Sequence, residues 1–595
     1  MCGIIGCINY NTPLNKAKML ADLVHRGPND SGYYDIGNSS FIGHARLSII
    51  DTTYHGHQPM ISRCENYILV YNGEIYNHND LREELISKGY SFESNSDSEV
   101  LLNLFIEYGA DEVFLNKLRG MFAFCIYNRK DGSLFLARDR FGIKPLIYGF
   151  KEKMFYFSSE LKPLHNANII SKELDEKSLA DYMQYGCVYQ PNTIYEEAKQ
   201  LMPGSFMKVD KDNACQIKKY YTLSDKIENL DLSYEDTVKQ LREKLEDATK
   251  YHMIADVEVG AFLSGGVDST ATVALMKKYS TKKISTFSIG FVDTQTEVVD
   301  ELTIAKKTAE ILDTNHHEIR ITDSYIDGVF DDFILAMDQP SVDGLNTYIV
   351  SKETSKYLKV AITGLGGDEI FAGYPHFERF NRYSESKSNI FTELLVNLNA
   401  VRPNRYLDKF QYFDMTIEQM IDRIRSLDKE SFVLKNKKTN RNLSKIQRIS
   451  ICELDDYMLN ILLRDNDDFS MDNSLEVRPI LLDHPLVEFA VSLNDKYKID
   501  NGVLKSIFID AVKDIIPEFV YDREKSGFVM PVVGWMNTIL NDRFKLLLDS
   551  NYESFLGVEY LEKLEYRVRN KSVVQKDWKV FVLLAWLKKN EIEIV

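Results

Sequence analysis

A run of small and acidic residues in the middle of the chain has the composition of a phosphate site. Residues 264–269 read Ser-Gly-Gly-Val-Asp-Ser and follow an apolar segment, 257–263, that predicts a buried strand. Adjacent glycines let backbone N–H groups approach an oxyanion, and a helix predicted to begin near Ser269 would point its positive end there. Asp268 adds an oxygen ligand for Mg²⁺. The pattern predicts phosphate binding, with a plain glycine turn as the alternative, and it is not the GxxxxGK[ST] loop.

A second reactive group stands near the start of the sequence. Cys2 is followed by the small residue Gly3, so removal of Met1 would place a thiol and a free α-amine on one residue. Their ordinary pKa values, about 8.5 and about 8, are close enough for the amine to take the thiol proton and later return it to a leaving group. Cys2 is therefore a candidate nucleophile that needs no histidine partner.

The elements around Cys2 carry further polar groups. Arg46 is predicted at the start of a strand, and the segment 71–75, Tyr-Asn-Gly-Glu-Ile, follows an apolar run. Ser96 and Asp97 are predicted to cap a helix that contains three leucines between residues 101 and 104. Taken singly, each of these motifs has an ordinary explanation as a turn or a cap.

From residue 257 onward, predicted strands and helices alternate. The strands 257–263, 284–291, 318–322 and 358–363 with helices between them predict a parallel, doubly wound sheet whose ligands bind at the carboxyl ends of the strands. A second glycine-rich turn, 363–374, follows the last of these strands, so we expect Asp268 and Asp368 to face one magnesium-pyrophosphate unit. The segment 464–479 is expected only to precede a helical region, and Lys505, Arg523 and Lys525 offer further cations for phosphate.

Length and composition narrow the class of protein. A chain of 595 residues is too long for one core, and a change of pattern predicts a domain boundary near 210–230. The net charge of −17 disfavours a nucleic-acid partner, and no run of about 18 apolar residues predicts a membrane span. Seven scattered cysteines without a CxxC pair favour a reducing, cytoplasmic setting.

Taken together, residues 2–205 resemble the class II glutamine amidotransferase domain. The resemblance implies an N-terminal-nucleophile fold, an αββα sandwich over residues 1–215, in which Cys2 attacks the side-chain amide of glutamine. It implies that Asn72 and the Gly73 N–H stabilise the oxyanion. The glutamine-binding residues that it implies are Arg46 for the α-carboxylate, Asp97 for the ammonium, and Asn72, Gly73 and Glu74.

Residues 230–595 resemble the synthetase half of glutamine-hydrolysing asparagine synthetase of the B type. This resemblance implies an ATP pyrophosphatase domain with a doubly wound parallel sheet and added helices, and Mg²⁺ on Asp268 and Asp368. A homodimer is one assembly that the sequence leaves open. Lys505 would steady the departing pyrophosphate. The residues implied to contact ATP are Leu263, Ser264, Gly265, Gly266, Asp268, Ser269, Ile289, Thr363 and Gly364.

The implied reaction is formation of asparagine and glutamate from aspartate, glutamine and ATP, with ammonia passing between two sites through a closed passage. Leu365 departs from the family pattern, because asparagine-making relatives typically have a glutamate at this position. Another carboxylate, Glu369 or Glu476, could replace it. The alternatives are an acceptor other than aspartate, such as a uronic acid of a surface polysaccharide, and an inactive regulatory relative.

Overall fold

The computed structural model describes residues 2–9, 13–37, 40–292, 301–378, 443–523, 530–548 and 556–592. The strands in these ranges are β1 (Cys2–Ile8), β2 (Asp30–Gly37), β3 (Ser40–Arg46), β4 (Met60–Ile61), β5 (Tyr67–Ile75), β6 (Gly120–Asn128), β7 (Leu134–Arg138), β8 (Ile147–Lys151), β9 (Met154–Ser158), β10 (Lys199–Gln200), β11 (Ser205–Val209), β12 (Cys215–Lys219), β13 (Val259–Phe262), β14 (Ser285–Phe291), β15 (Asn315–Ile321), β16 (Val360–Thr363), β17 (Glu476–Pro479), β18 (Ile499–Asp500) and β19 (Val503–Leu504).

A π-helical segment, Leu454–Leu462, joins two of the α-helices. The described α-helices are α1 (Lys16–Ala21), α2 (His78–Ser87), α3 (Asp97–Tyr108), α4 (Glu112–Lys117), α5 (Lys162–Asn166), α6 (Glu176–Tyr185), α7 (Tyr234–His252), α8 (Val267–Tyr279), α9 (Glu301–Ile311), α10 (Asp323–Ala336), α11 (Leu345–Thr354), α12 (Gly367–Ile370), α13 (Lys445–Glu453), α14 (Leu463–Asp472), α15 (His484–Ser492), α16 (Asp495–Lys498), α17 (Ser506–Val512), α18 (Glu518–Tyr521), α19 (Val532–Asn537), α20 (Asn541–Leu548), α21 (Val558–Arg569) and α22 (Asp577–Lys589).

Two antiparallel six-stranded sheets stack in the first half of the chain. Their strand orders are β10-β8-β9-β1-β3-β2 and β12-β11-β7-β6-β5-β4. Because successive side chains of a strand point to opposite faces, Ile4 packs between the sheets while Ile5 packs outward beside Leu20 of α1. Phe122 of β6 packs against Leu101 of α3 in the same way on the other side. The predicted αββα sandwich is therefore confirmed.

A parallel five-stranded sheet of order β15-β14-β13-β16-β17 organises the second half, as the alternation of elements predicts. The chain moves outward from β13 to one edge and then returns to β16 on the other side of β13. The order of strands thus reverses between β13 and β16, which places the loops 264–269 and 364–374 next to each other at the carboxyl edge. The strand before the first loop is shorter than predicted, and α8 begins two residues before Ser269.

The edge strand β17 comes from the segment that we expected only to precede a helical region. Its Arg478 lies opposite Ile362 of β16, and its Val477 packs against the sheet. Val477 and Pro479 alternate with two charged residues, but the alternation is short and ends in a proline, so the local signal for a strand is weak. The two charged side chains pair with each other, and Arg478 has further tertiary partners that are described below.

The two halves pack against each other. One hydrophobic cluster runs from α3 and β6 of the first half to α7, α8 and α15 of the second. A bidentate ion pair also joins the halves, since Arg119 Nε and Nη2 lie 2.9 and 2.6 Å from the carboxylate oxygens of Asp483. Among the residues described, no helix combines the length and apolar character needed to cross a bilayer.

Candidate active sites

The predicted glutamine-binding residues come together at the end of β1. Cys2 pairs with Arg46, the last residue of β3, so Arg46 lies at a strand end and not at a strand start as predicted. The following loop turns back over the arginine, and Arg46 Nη1 donates to Thr53 O at 2.8 Å. Glu74 comes from β5 of the other sheet, and Asp97 from the first turn of α3.

The geometry around Cys2 suits a nucleophile with an adjacent oxyanion donor. Cys2 N–H donates to Asn72 Oδ1 at 3.0 Å, which holds the Asn72 amide against the strand start. Asn72 Nδ2 is buried and has no hydrogen-bond partner among the described residues. Burial raises the pKa of the Cys2 thiol, while the nearby amino terminus, the Leu47 N–H and Arg46 lower it. A Cβ at position 73 would overlap the Met121 carbonyl, so the backbone there requires glycine.

A small cavity opens beside Cys2 and presents charges that match a zwitterionic amino acid. The Arg46 guanidinium and the carboxylates of Glu74 and Asp97 line it. Asp97 is held firmly, because its Oδ2 accepts from Tyr71 Oη at 2.8 Å and from Ile75 N–H at 3.0 Å. The remaining lining residues are Cys2, Leu47, Ile49, Ile50, Gln58, Tyr71, Gly73, Ser96 and Ser98.

The second predicted site forms at the carboxyl edge of the parallel sheet. Lys505 Nζ lies 2.5 Å from Asp268 Oδ2 and 2.6 Å from Asp368 Oδ1, so one ammonium bridges the two predicted magnesium ligands. The loop before α8 turns at Gly265, whose φ is +75°. Ser264 N–H donates to Ser269 Oγ at 3.2 Å, which ties the two ends of this loop together.

The residues at this edge fit a magnesium-nucleotide complex. Two carboxylates converge on one cation, and hard oxygen donors are the ligands that Mg²⁺ takes. A Cβ at Gly367 would overlap the Asp268 carboxylate, and one at Gly364 would crowd the backbone of Asp268, so glycine keeps the space between the loops open. Arg523 Nη2 also donates to Gly265 O at 3.2 Å, whereas Lys525 lies outside the described residues.

The other residues predicted to contact ATP lie at or near the carboxyl ends of three neighbouring strands, β13, β14 and β16. Leu263 is buried directly after β13, and its carbonyl accepts from Ser288 Oγ of β14. Ile289 follows on β14 and is half-buried, and Thr363 ends β16. The structure thus brings together the strand ends that the sequence assigned to the nucleotide.

Of the two carboxylates named as replacements for the missing loop glutamate, Glu369 lies in the short helix α12, which begins two residues after Leu365. It is buried, and its Oε1 accepts from Tyr374 Oη at 2.5 Å. Burial and the neighbouring Asp368 raise the pKa of Glu369 to about 8. Glu476 instead lies on β17, with its Oε1 2.5 Å from Arg478 Nε.

A buried charge cluster behind Cys2 was not assigned from the sequence. Arg26 Nε donates to Cys2 O at 3.1 Å, and its Nη2 lies 2.6 Å from Asp467 Oδ2 of the second half. Lys144 Nζ lies 3.0 Å from the other oxygen of Asp467. The only local signal was the turn at 25–30, which placed a cation but no partner for it.

Comparison with known proteins covers both halves of the chain. Residues 1–221 match the family model of the glutamine amidotransferase domain, and residues 240–588 match that of asparagine synthase. The chain is 32% identical to asparagine synthetase [glutamine-hydrolyzing] 1 of Bacillus subtilis (strain 168), over 98% of this chain and 96% of that protein. It is 30% identical to asparagine synthetase B of Escherichia coli (strain K12), over 67% and 69%. A Penicillium rubens protein named amidase chyE is 26% identical over 90% and 88%. The chain therefore belongs to the family of glutamine-hydrolysing asparagine synthetases.

Proposed function

We propose that this protein transfers ammonia from glutamine to a carboxylate that ATP has activated, with release of glutamate, AMP and pyrophosphate. The observation that carries the proposal is that one packed chain holds two sites of matching chemistry. The first contains Cys2 beside an unpaired amide donor, and the second contains two aspartates bridged by Lys505. The acceptor that we propose is aspartate, in keeping with the names of the relatives.

In the first site, Cys2 acts after removal of Met1. Its α-amine takes the thiol proton, and the sulfur attacks the amide carbon of glutamine. The C–N bond breaks, the proton leaves with the departing ammonia, and water then hydrolyses the thioester to glutamate. The N–H groups of Asn72 Nδ2 and Gly73 donate to the oxyanion of the tetrahedral intermediate, where a fixed donor is worth about 10²- to 10³-fold in rate.

Glutamine is held by the charges that line the first cavity. Arg46 binds the α-carboxylate through two parallel N–H groups, which suits the planar guanidinium. Asp97 and Glu74 face the ammonium of the substrate. Backbone carbonyls of loop 47–53 accept hydrogen bonds from Arg46 and hold its guanidinium at the edge of the cavity.

In the second site, an oxygen of the acceptor carboxylate attacks the α-phosphate of ATP. An acyl-adenylate forms and pyrophosphate leaves; ammonia from the first site then attacks the acyl carbon and displaces AMP. Asp268 and Asp368 would hold Mg²⁺, which neutralises the charge on the pyrophosphate. Lys505 donates to the leaving pyrophosphate once it is released from the aspartates. The passage of ammonia must exclude water, which would hydrolyse the adenylate.

A uronic acid is the second candidate for the acceptor, and Leu365 is the observation that favours it. An apolar side chain at this loop position can neither bind the ammonium of aspartate nor accept a proton from ammonia. Glu369 lies four residues after Leu365, but its raised pKa keeps it mostly neutral at pH 7. A sugar acid without an ammonium places no such demand on the loop.

One assay separates these candidates. Purified protein is supplied with Mg²⁺, ATP and ammonia, and AMP and pyrophosphate are measured with aspartate and with a panel of uronic acids. The wild type should form AMP with one class of acceptor. With glutamine as the nitrogen source, Cys2→Ala should lose glutamate release but keep ammonia-dependent AMP formation. Absence of AMP with every carboxylate would contradict the proposal.

A further inference from the structure

A buried arginine of the second half stands next to the glutamine cavity of the first. Arg478 of β17 has no exposed side-chain surface, and its Nε lies 2.5 Å from Glu476 Oε1. Its Nη1 donates to His252 O at 2.7 Å and to Ile254 O at 2.8 Å. These hydrogen bonds fix the plane of the guanidinium. Its remaining Nη2 lies 3.6 Å from Glu74 Oε1 and has no hydrogen-bond partner in the described part of the chain.

Glu74 depends on this arginine for its countercharge. Its carboxylate lines the glutamine cavity and is buried, and its Oε2 has no hydrogen-bond partner within the described ranges. The other carboxylate of the cavity, Asp97, is in contrast held by a hydroxyl and a backbone N–H. A buried carboxylate without a partner is costly, so the charge of Glu74 requires the nearby guanidinium.

We propose that Arg478 is a positioning residue for glutamine binding, which directs the Glu74 carboxylate at the ammonium of the substrate and supplies its countercharge when it ionises. The inference rests on the proposed function, because it assumes that glutamine occupies the cavity beside Cys2. It goes beyond that function in making the glutamine site incomplete without a residue of the ATP-binding half.

The position of β17 also links the pairing of Arg478 with Glu74 to the nucleotide loop. Arg478 lies opposite Ile362 in the ladder between β17 and β16, and Thr363 lies opposite Pro479. β16 leads directly into the nucleotide loop, so the pair of strands that carries that loop also carries the countercharge of the glutamine cavity. A displacement of β17 on nucleotide binding would therefore change the support of Glu74.

The charges around Glu74 predict how its pKa changes when Arg478 is replaced. Burial, Glu476 and Asp97 hold the pKa of Glu74 well above its usual value, and Arg478 limits this rise. Loss of Arg478 should raise the pKa of Glu74 further, so that a higher pH is needed to ionise the carboxylate and bind glutamine. The groups that face Glu74 are Arg478 and Glu476 of β17, Asp97 of α3, Cys2 and the amino terminus at β1, and Tyr71 and Tyr76 at β5.

The test compares Arg478→Gln with Arg119→Gln in the full chain. Arg119 pairs with Asp483 across the same two halves but does not line the cavity, so its variant controls for a weakened interface. Glutamate release is measured against glutamine concentration and pH. We expect KM for glutamine to rise about tenfold or more in Arg478→Gln only, a loss of about 1.4 kcal/mol. The acidic limb of kcat/KM should move to higher pH, and ammonia-dependent AMP formation should fall no more than in the control.

A second pair of variants keeps the test decisive. In a Glu74→Gln background, Arg478→Gln should change KM for glutamine little, because the charge that the arginine serves is already gone. Arg478→Lys retains the charge and should recover part of the KM loss; it replaces Arg478→Gln if that variant does not fold. The inference is overturned if KM and the acidic limb match the Arg119→Gln control, or if the KM effect persists in the Glu74→Gln background. Because glutamate release is followed directly, these results stand apart from any failure to form AMP.

Discussion

Replacement of Lys505 by methionine tests whether the second site is built around a divalent cation. The ammonium of Lys505 stands within 2.6 Å of both Asp268 and Asp368. In Lys505→Met the two carboxylates lose the ammonium that bridges them. We therefore expect the variant to be less stable than the wild type in the absence of metal and to bind Mg²⁺ more tightly, because Lys505 no longer competes for the carboxylates.

The two ion pairs of Lys505 set the size of the effect. Removing one partner of a buried ion pair costs about 3–5 kcal/mol. The side chains of Asp268 and Asp368 each keep 22% of their surface exposed, so water relieves part of the repulsion and we expect a destabilisation of about 2–4 kcal/mol. Mg²⁺ at a concentration of about a hundred times its Kd should raise the free energy of unfolding of the variant by about 2.7 kcal/mol. Magnesium should therefore restore most of the stability.

Thermal unfolding with EDTA and with Mg²⁺ measures both effects. We expect the Tm of Lys505→Met to fall by on the order of 5 °C in EDTA and to recover with Mg²⁺. Lys498→Met is the matched control, because Lys498 is also fully buried and its Nζ donates to Val491 O at 3.2 Å. A magnesium response of Lys505→Met no larger than that of the wild type and of Lys498→Met would refute the cation site.

Three further predictions concern single residues. Asn72→Ala should lower kcat for glutamate release by about 10²- to 10³-fold with little change in KM, measured by steady-state kinetics; an unchanged kcat would exclude the oxyanion role. Gly367→Ala should abolish AMP formation and spare glutamate release, because its Cβ would overlap the Asp268 carboxylate. Retained AMP formation would show that the open space beside Asp268 is not needed for the reaction. Burial and Glu160 raise the pKa of Asp338 to about 7, so the folded chain keeps a proton that the unfolded chain releases near pH 4, and stability is lost as the pH rises to about 7. Asp338→Asn removes this loss of stability, so the Tm of the variant relative to that of the wild type should rise between pH 5 and pH 8. A Tm difference that stays constant over this range would contradict the raised pKa of Asp338.

Short patterns in the sequence predicted most of the fold and the reacting groups. Cys2 followed by glycine, the Ser-Gly-Gly-Val-Asp-Ser loop and the alternation of strands and helices each occupy a short stretch of chain, so propensity and spacing predict them. The same signals placed Asp268 and Asp368 at neighbouring strand ends, because parallel strands bring their carboxyl ends to one edge.

Tertiary structure alone decided which charges meet. Arg26 and Asp467 lie 441 residues apart in sequence, and Lys505 and Asp268 lie 237 apart. In a sequence, a charged residue looks like part of a solvated surface. Only the packing of the two halves removes these charged side chains from water, and each of them then requires a partner. Arg478 is the clearest case, because nothing in the local sequence indicates its place beside Glu74. The sequence determined the reacting groups of the two proposed sites, and burial between the halves determined the charges that support them.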